Sequence, residues 1–126
     1  MTVSYKILET TKVRFDAMCA SQSKAKVLAS IVAWYLKGLQ DGIKPQYQEL
    51  VGRKTTLSIR IPPDVVADII TITAHVSRHW LETGIKGWKI THDYMVQRMI
   101  DTYITAMGWN EETLEAALMI RSTYDR

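Results

Sequence analysis

The stretch Thr55-Thr56-Leu57-Ser58-Ile59-Arg60-Ile61-Pro62-Pro63-Asp64 alternates strictly and then stops at a helix-start signal. A strand sends successive side chains to opposite faces, so Leu57, Ile59 and Ile61 share one side and Thr56, Ser58 and Arg60 the other. Pro62-Pro63-Asp64 sets the backbone for a first helical turn, where the missing proline N–H leaves no intrahelical bond unmade. The same strand pattern opens the chain 54 positions earlier: Thr2-Val3-Ser4-Tyr5-Lys6-Ile7 lies over Thr56-Leu57-Ser58-Ile59-Arg60-Ile61. Polar positions match as Thr/Thr, Ser/Ser and Lys/Arg.

Helices follow each strand. After the first, residues 9–20 read as a helix with Val13, Phe15, Met18 and Cys19 on its buried side. Ser23 then offers an N-cap for a second helix over 24–40, whose stripe is Val27, Leu28, Ile31, Val32, Tyr35, Leu36 and Leu39. After the second strand, residues 64–81 form a helix buried through Val65, Ile69, Ile72 and Val76. Gly84 and Gly87 open a loop carrying Trp88, and Thr91 caps a helix over 92–107. The stripe of that helix, Met95, Val96, Met99, Ile100, Tyr103, Ile104 and Met107, repeats the stripe of the second helix at an offset of 68. The unit strand, helix, helix is therefore used twice. A last helix over 111–122, capped by Asn110-Glu111-Glu112, has no counterpart.

An isolated strand leaves its backbone groups unpaired, so the two strands are expected to pair with each other, antiparallel about a pseudo-twofold axis. Val3, Tyr5, Ile7, Leu57, Ile59 and Ile61 would then lie on four helices. Thr2, Ser4, Lys6, Thr56, Ser58 and Arg60 would project from the other face. The fold class predicted is mainly α with one two-stranded antiparallel ribbon, an intramolecular pseudo-dimer. The whole chain, 1–126, reads as one domain. Its parts are a first copy at 2–40, a connector at 41–54, a second copy with an enlarged first helix at 55–108, and a C-terminal helix at 109–126. The connector, with Pro45 and Gly52, reaches roughly 40 Å at ~3.3–3.6 Å per residue, enough to cross a small domain.

Composition sets the class. With 126 residues, 47% hydrophobic and 23% charged, the chain can bury a proper core. Cys19 is the only cysteine, so an intramolecular disulfide and a cysteine zinc cluster are excluded. The most apolar run, 65–76, carries Asp68 and His75 and is too short to span a bilayer. No basic-then-apolar leader opens the chain, and a cytoplasmic location without membrane contact is expected. The net charge of +3 is unevenly spread, because residues 1–54 hold nine Lys/Arg against four Asp/Glu.

In these strands and second helices the chain resembles the ribbon-helix-helix family of DNA-binding proteins, in a single-chain tandem form. Tandem members resemble accessory factors of conjugative and T-DNA transfer, of the VirC type. The resemblance covers residues 2–107 and implies sequence-specific double-stranded DNA binding, with the ribbon in the major groove. Carried over by position, the base-reading residues would be Thr2, Ser4, Lys6, Thr56, Ser58 and Arg60. The phosphate-holding residues would be Ser23, Lys24, Lys26, Thr91 and His92 at the helix starts, with Arg53 and Lys54 ahead of the second strand. The implied role is transcription regulator or accessory protein of plasmid or mobile-element transfer, with self-association on DNA. The long helix at 64–81 and the C-terminal helix depart from the family pattern.

The chemistry suits a groove, since Lys and Arg donate to guanine O6 and N7 while Ser and Thr serve either base type. Lys24 and Lys26 oppose the dipole of their own helix by about 0.3–1 kcal/mol each, a cost that a bound phosphate reverses. A solvated sheet face and ordinary surface lysines are the structural alternatives. His75 and His79 have metal-ligand spacing but no evident third ligand. Cys19 and the four tryptophans, Trp34, Trp80, Trp88 and Trp109, read as packing and anchoring residues. No nucleophile elbow, phosphate loop or carboxylate pair is present, so neither an enzyme nor a cofactor is expected. The competing function is a protein-interaction module of the antitoxin kind, with the helix at 111–122 holding a partner.

Overall fold

The computed structural model describes residues 1–84 and 90–108. Six elements run in the order β1 (Thr2–Leu8), α1 (Glu9–Cys19), α2 (Lys24–Gln40), β2 (Lys54–Arg60), α3 (Pro63–Glu82) and α4 (His92–Ala106). The expected loop around Trp88 and the expected helix at 111–122 lie outside the described residues. The molecule is mainly helical with a single two-stranded antiparallel sheet among the described residues, β1 against β2.

The ladder pairs Thr2 with Arg60, Ser4 with Ser58, Lys6 with Thr56 and Leu8 with Lys54. Ser4 and Ser58, which pair within it, are also the residues that the 54-residue sequence offset aligns. Backbone bonds extend it at both ends: Ile61 N–H donates to the Met1 carbonyl at 3.0 Å, and Glu9 N–H to the Arg53 carbonyl at 2.9 Å. Tyr5, Ile7, Leu57, Ile59 and Ile61 are buried, as the alternation predicts, and Val3 packs partly buried against them.

Four helices close the other side of this sheet. From α2 and α4 come Leu28, Ile31, Val32, Met95, Met99 and Ile100, and from α3 the expected Val65, Ile69, Ile72 and Val76. Burial of such side chains is worth about 1.5–3 kcal/mol each, which is why a seven-residue ribbon holds its shape. Three boundary expectations need correction. Val13 is 53% exposed, because α1 starts directly at the strand end and buries Thr11, Phe15 and Met18. Val13 sits two positions from both Thr11 and Phe15, on the opposite side of the helix. Met107 is exposed, one residue beyond α4, where Gly108 turns the chain with φ 74°. Lys54 belongs to β2 instead of the connector, because it pairs with Leu8.

The connector, 41–53, is irregular but tied down. Trp80 Nε1 donates to the Pro45 carbonyl at 3.2 Å. Tyr94 Oη donates to the Gln48 carbonyl at 2.8 Å and accepts the Gln48 N–H at 3.1 Å. Tyr47 stacks on Tyr94 at 6.1 Å and meets Trp80 edge-on at 5.4 Å. Two helices thus hold one strap through aromatic rings, which reconciles an irregular backbone with satisfied polar groups.

Burial raises the phenol pKa values of Tyr5, Tyr35, Tyr47 and Tyr94 above 10.0. In the unfolded chain these phenols ionise first, so the folded state binds more protons in that range. Their contribution to stability is expected to be fully present below pH 10.0 and to be lost as pH rises through the higher folded values. Thermal unfolding followed by circular dichroism on either side of that pH checks it. A melting temperature that stays level through the alkaline range would show that these phenols are not held neutral by the fold.

A polar cluster is buried where β1 meets α4. Gln97, fully buried, accepts the Leu8 N–H at 2.6 Å through Oε1. Its Nε2 donates to Thr11 Oγ1 and, at 2.6 Å, to Asp101 Oδ2. Thr11 Oγ1 in turn donates to Asp101 Oδ1 at 2.9 Å. At the positions that the sequence offsets of 54 and 68 align with these four residues stand Pro62, Val65, Ala29 and Ala33. Proline has no N–H, so that position needs no acceptor, and alanine suffices where Gln97 is required.

Candidate nucleic-acid interface

The outward face of the ribbon follows from the ladder geometry. Met1 and Ile61 exchange both backbone bonds, at 3.0 and 3.2 Å, so they form a hydrogen-bonded pair. Counting along the register, Ser4 and Ser58 fall at a non-hydrogen-bonded pair, where facing side chains approach most closely. Their hydroxyls are 3.1 Å apart. Thr2, Ser4, Lys6, Thr56, Ser58 and Arg60 are all exposed on this one face, as the alternation predicts. Lys54 shares their parity and joins them, which the sequence reading missed although its spacing from Thr56 carried the signal.

The face carries Lys6, Lys54 and Arg60 and no carboxylate. Among the described residues none of these three cations is in an ion pair. Lys6 and Lys54 stand at one end of the ribbon, near one another in the register, and Arg60 stands at the other opposite Thr2. Hydroxyls fill the middle. The arrangement offers donors of fixed register flanked by long mobile charges, a combination that can grip an anionic, hydrogen-bonding surface.

The two helix starts singled out in the sequence are built alike but charged differently. Ser23 Oγ accepts the Lys26 N–H at 3.4 Å, and Thr91 Oγ1 accepts the Tyr94 N–H at 3.1 Å. Both hydroxyls therefore serve as N-caps. The first turn of α2 holds Lys24 and Lys26 and no acid, whereas the first turn of α4 holds Asp93 beside the exposed His92. Lys24 Nζ lies 2.9 Å from Asp16 Oδ1 on α1, with both side chains partly exposed. That pair holds the lysine near its helix start but adds little stability, because solvent screens it.

A depression of about 380 Å³ brings Lys6, Lys54, Thr91 and Asp93 together beside the ribbon. Ser23, Lys24 and Lys26 do not line it. Arg53 is exposed, and its carbonyl holds the Glu9 N–H. His75 is exposed and His79 half-buried on α3, and no group of three potential metal ligands occurs among the described residues. Trp80 is buried and Trp34 meets Tyr103 edge-on at 5.3 Å, while Trp88 and Trp109 lie outside the described residues. Cys19 is fully buried in the core. Among the described residues no helix is long and apolar enough to cross a membrane. Compared with known proteins, the chain matches no family profile, no curated protein and no solved structure.

Proposed function

We propose that the chain is a tandem ribbon-helix-helix protein, an intramolecular pseudo-dimer that binds double-stranded DNA through its ribbon and carries no catalytic activity. The observation that carries this reading is the outward ribbon face: six exposed polar residues in one register, flanked by cations without ion-pair partners among the described residues. A two-stranded ribbon is narrow enough for the major groove, and hydroxyls with Lys and Arg match the donors and acceptors displayed there. The pairing of Ser4 with Ser58 supports the pseudo-twofold, as does the equivalence of α2 and α4 in stripe and cap. Regulation of transcription or service to mobile-element DNA transfer, in the cytoplasm, are the roles that such binding would fill.

In this reading Lys24 and Lys26 hold a phosphate at the start of α2, and Lys24 exchanges Asp16 for it. The other helix start, with Asp93, relies on Lys54 across the shared depression. Mobility-shift titration against random duplex DNA over a series of salt concentrations tests the proposal. Affinity should fall steeply with salt, and Lys24→Ala should shallow the logarithmic slope by about one. Binding too weak to detect at the lowest salt would end the DNA reading, and an unchanged slope would remove Lys24 from the interface.

A further inference from the structure

A second depression, of about 540 Å³, lies between the C-terminal half of α2, the connector and α4, and none of the ribbon residues lines it. Its volume is that of a small-molecule site, about 300–1,000 Å³. Trp34 and Tyr35 supply flat apolar wall, and Lys37, Lys44 and Arg98 supply three cations against one acid, Asp41. Trp34 is braced edge-on by Tyr103, so its ring is held in place instead of swinging free.

Arg98 gives the site its direction. One of its terminal nitrogens, Nη1, donates to Gln48 Oε1 on the connector at 2.6 Å, which fixes the guanidinium plane. Its Nε is buried and has no hydrogen-bond partner among the described residues. Because the buried Nε is out of a ligand's reach, it is the terminal nitrogens of this fixed guanidinium that meet the depression, and these are best satisfied by a charged acceptor. Lys37 and Lys44 are exposed, and their charges reinforce the same preference.

We propose that this depression binds a small planar aromatic carboxylate, its ring against Trp34 and Tyr35 and its carboxylate toward Arg98, Lys37 and Lys44. The inference does not rest on the DNA reading, because it uses a different surface. Cations alone would accept any anion; the aromatic wall selects one with a flat apolar body.

Calorimetric titration of the full chain with naphthoate, naphthylmethylammonium and inorganic phosphate tests it. Naphthoate should saturate at one per chain, and the double variant Lys37→Gln/Lys44→Gln should weaken it about tenfold while thermal unfolding stays unchanged. The naphthyl cation should not bind. Phosphate should compete poorly. The proposal is overturned if naphthoate gives no saturable heat, if the cation binds as well as the acid, if phosphate binds as tightly as naphthoate, or if the double variant retains the parent affinity.

Discussion

Replacing Gln97 with leucine should lower the unfolding free energy by about 3 kcal/mol, although leucine has a similar volume and leaves little cavity. The reason is polar. The Leu8 N–H points away from the β2 ladder and has Gln97 Oε1 as its acceptor, while Thr11 Oγ1 and Asp101 Oδ2 each lose the amide donor and keep only the bond from Thr11 Oγ1 to Asp101 Oδ1. An orphaned buried group costs about 1–3 kcal/mol, and more than one group loses its partner here. The residue aligned with Leu8 by the 54-residue offset supplies the rescue. Leu8 sits at φ −62° and Pro62, its counterpart, also at φ −62°, so proline fits at position 8 without backbone strain. Leu8→Pro in the Gln97→Leu background removes the orphaned donor and should return about 1 kcal/mol or more. Denaturant titration of the wild type, both single variants and the double variant completes the cycle. Strictly additive effects would mean that the Leu8 to Gln97 bond is not the source of the loss.

Arg60→Ala should cost about 1–3 kcal/mol of DNA-binding free energy and relax preference at one base pair. Lys6→Ala should cost less and act at a different position. Arginine grips guanine through two parallel bonds, whereas lysine acts as a single mobile charge. The register adds a second reason: Lys54 stands close to Lys6 at the same end of the ribbon and can cover part of its loss, while Arg60 has only Thr2 across from it. A site of unequal halves is the expected target. Binding-site selection with the wild type and both variants, with circular dichroism to confirm folding, checks this. Variants that keep both the parent's affinity and its site would show that the ribbon does not read DNA.

The ribbon is legible in the sequence because period-two alternation is local, and each face depends only on parity along Leu57 to Ile61 and Val3 to Ile7. The stripes of α2 and α4 are legible for the same reason at period 3.6, reinforced by their 68-residue offset. What escapes depends on tertiary contact. Gln97 lies between Val96 and Met99 and reads as a polar interruption until β1 is seen to bring Leu8 to it. Tyr47 looks like an ordinary loop tyrosine until Trp80 and Tyr94 meet it. Val13 misleads because the phase of α1 is set by the strand from which it springs, not by the apolar content of the helix alone. At the candidate interface, residue type and parity suffice for the six face residues, but the Lys24 to Asp16 pair becomes visible only once the helices pack. The acid at the start of α4 is plain in the sequence, yet its place beside Lys6 and Lys54 is not.

Both strands of the ribbon belong to one chain, and this governs how the sheet comes into being. Joining strands from separate molecules is second-order, so it slows on dilution; here the partner strand is always present at the effective concentration set by the intervening chain. Closing that span costs entropy that grows only as the logarithm of its length. The pairing is nonetheless of long sequence separation, 54 residues between Ser4 and Ser58, so the closure cost must be met before its contacts stabilise the sheet. Dilution therefore leaves the ribbon whole, with no threshold concentration below which its two strands part.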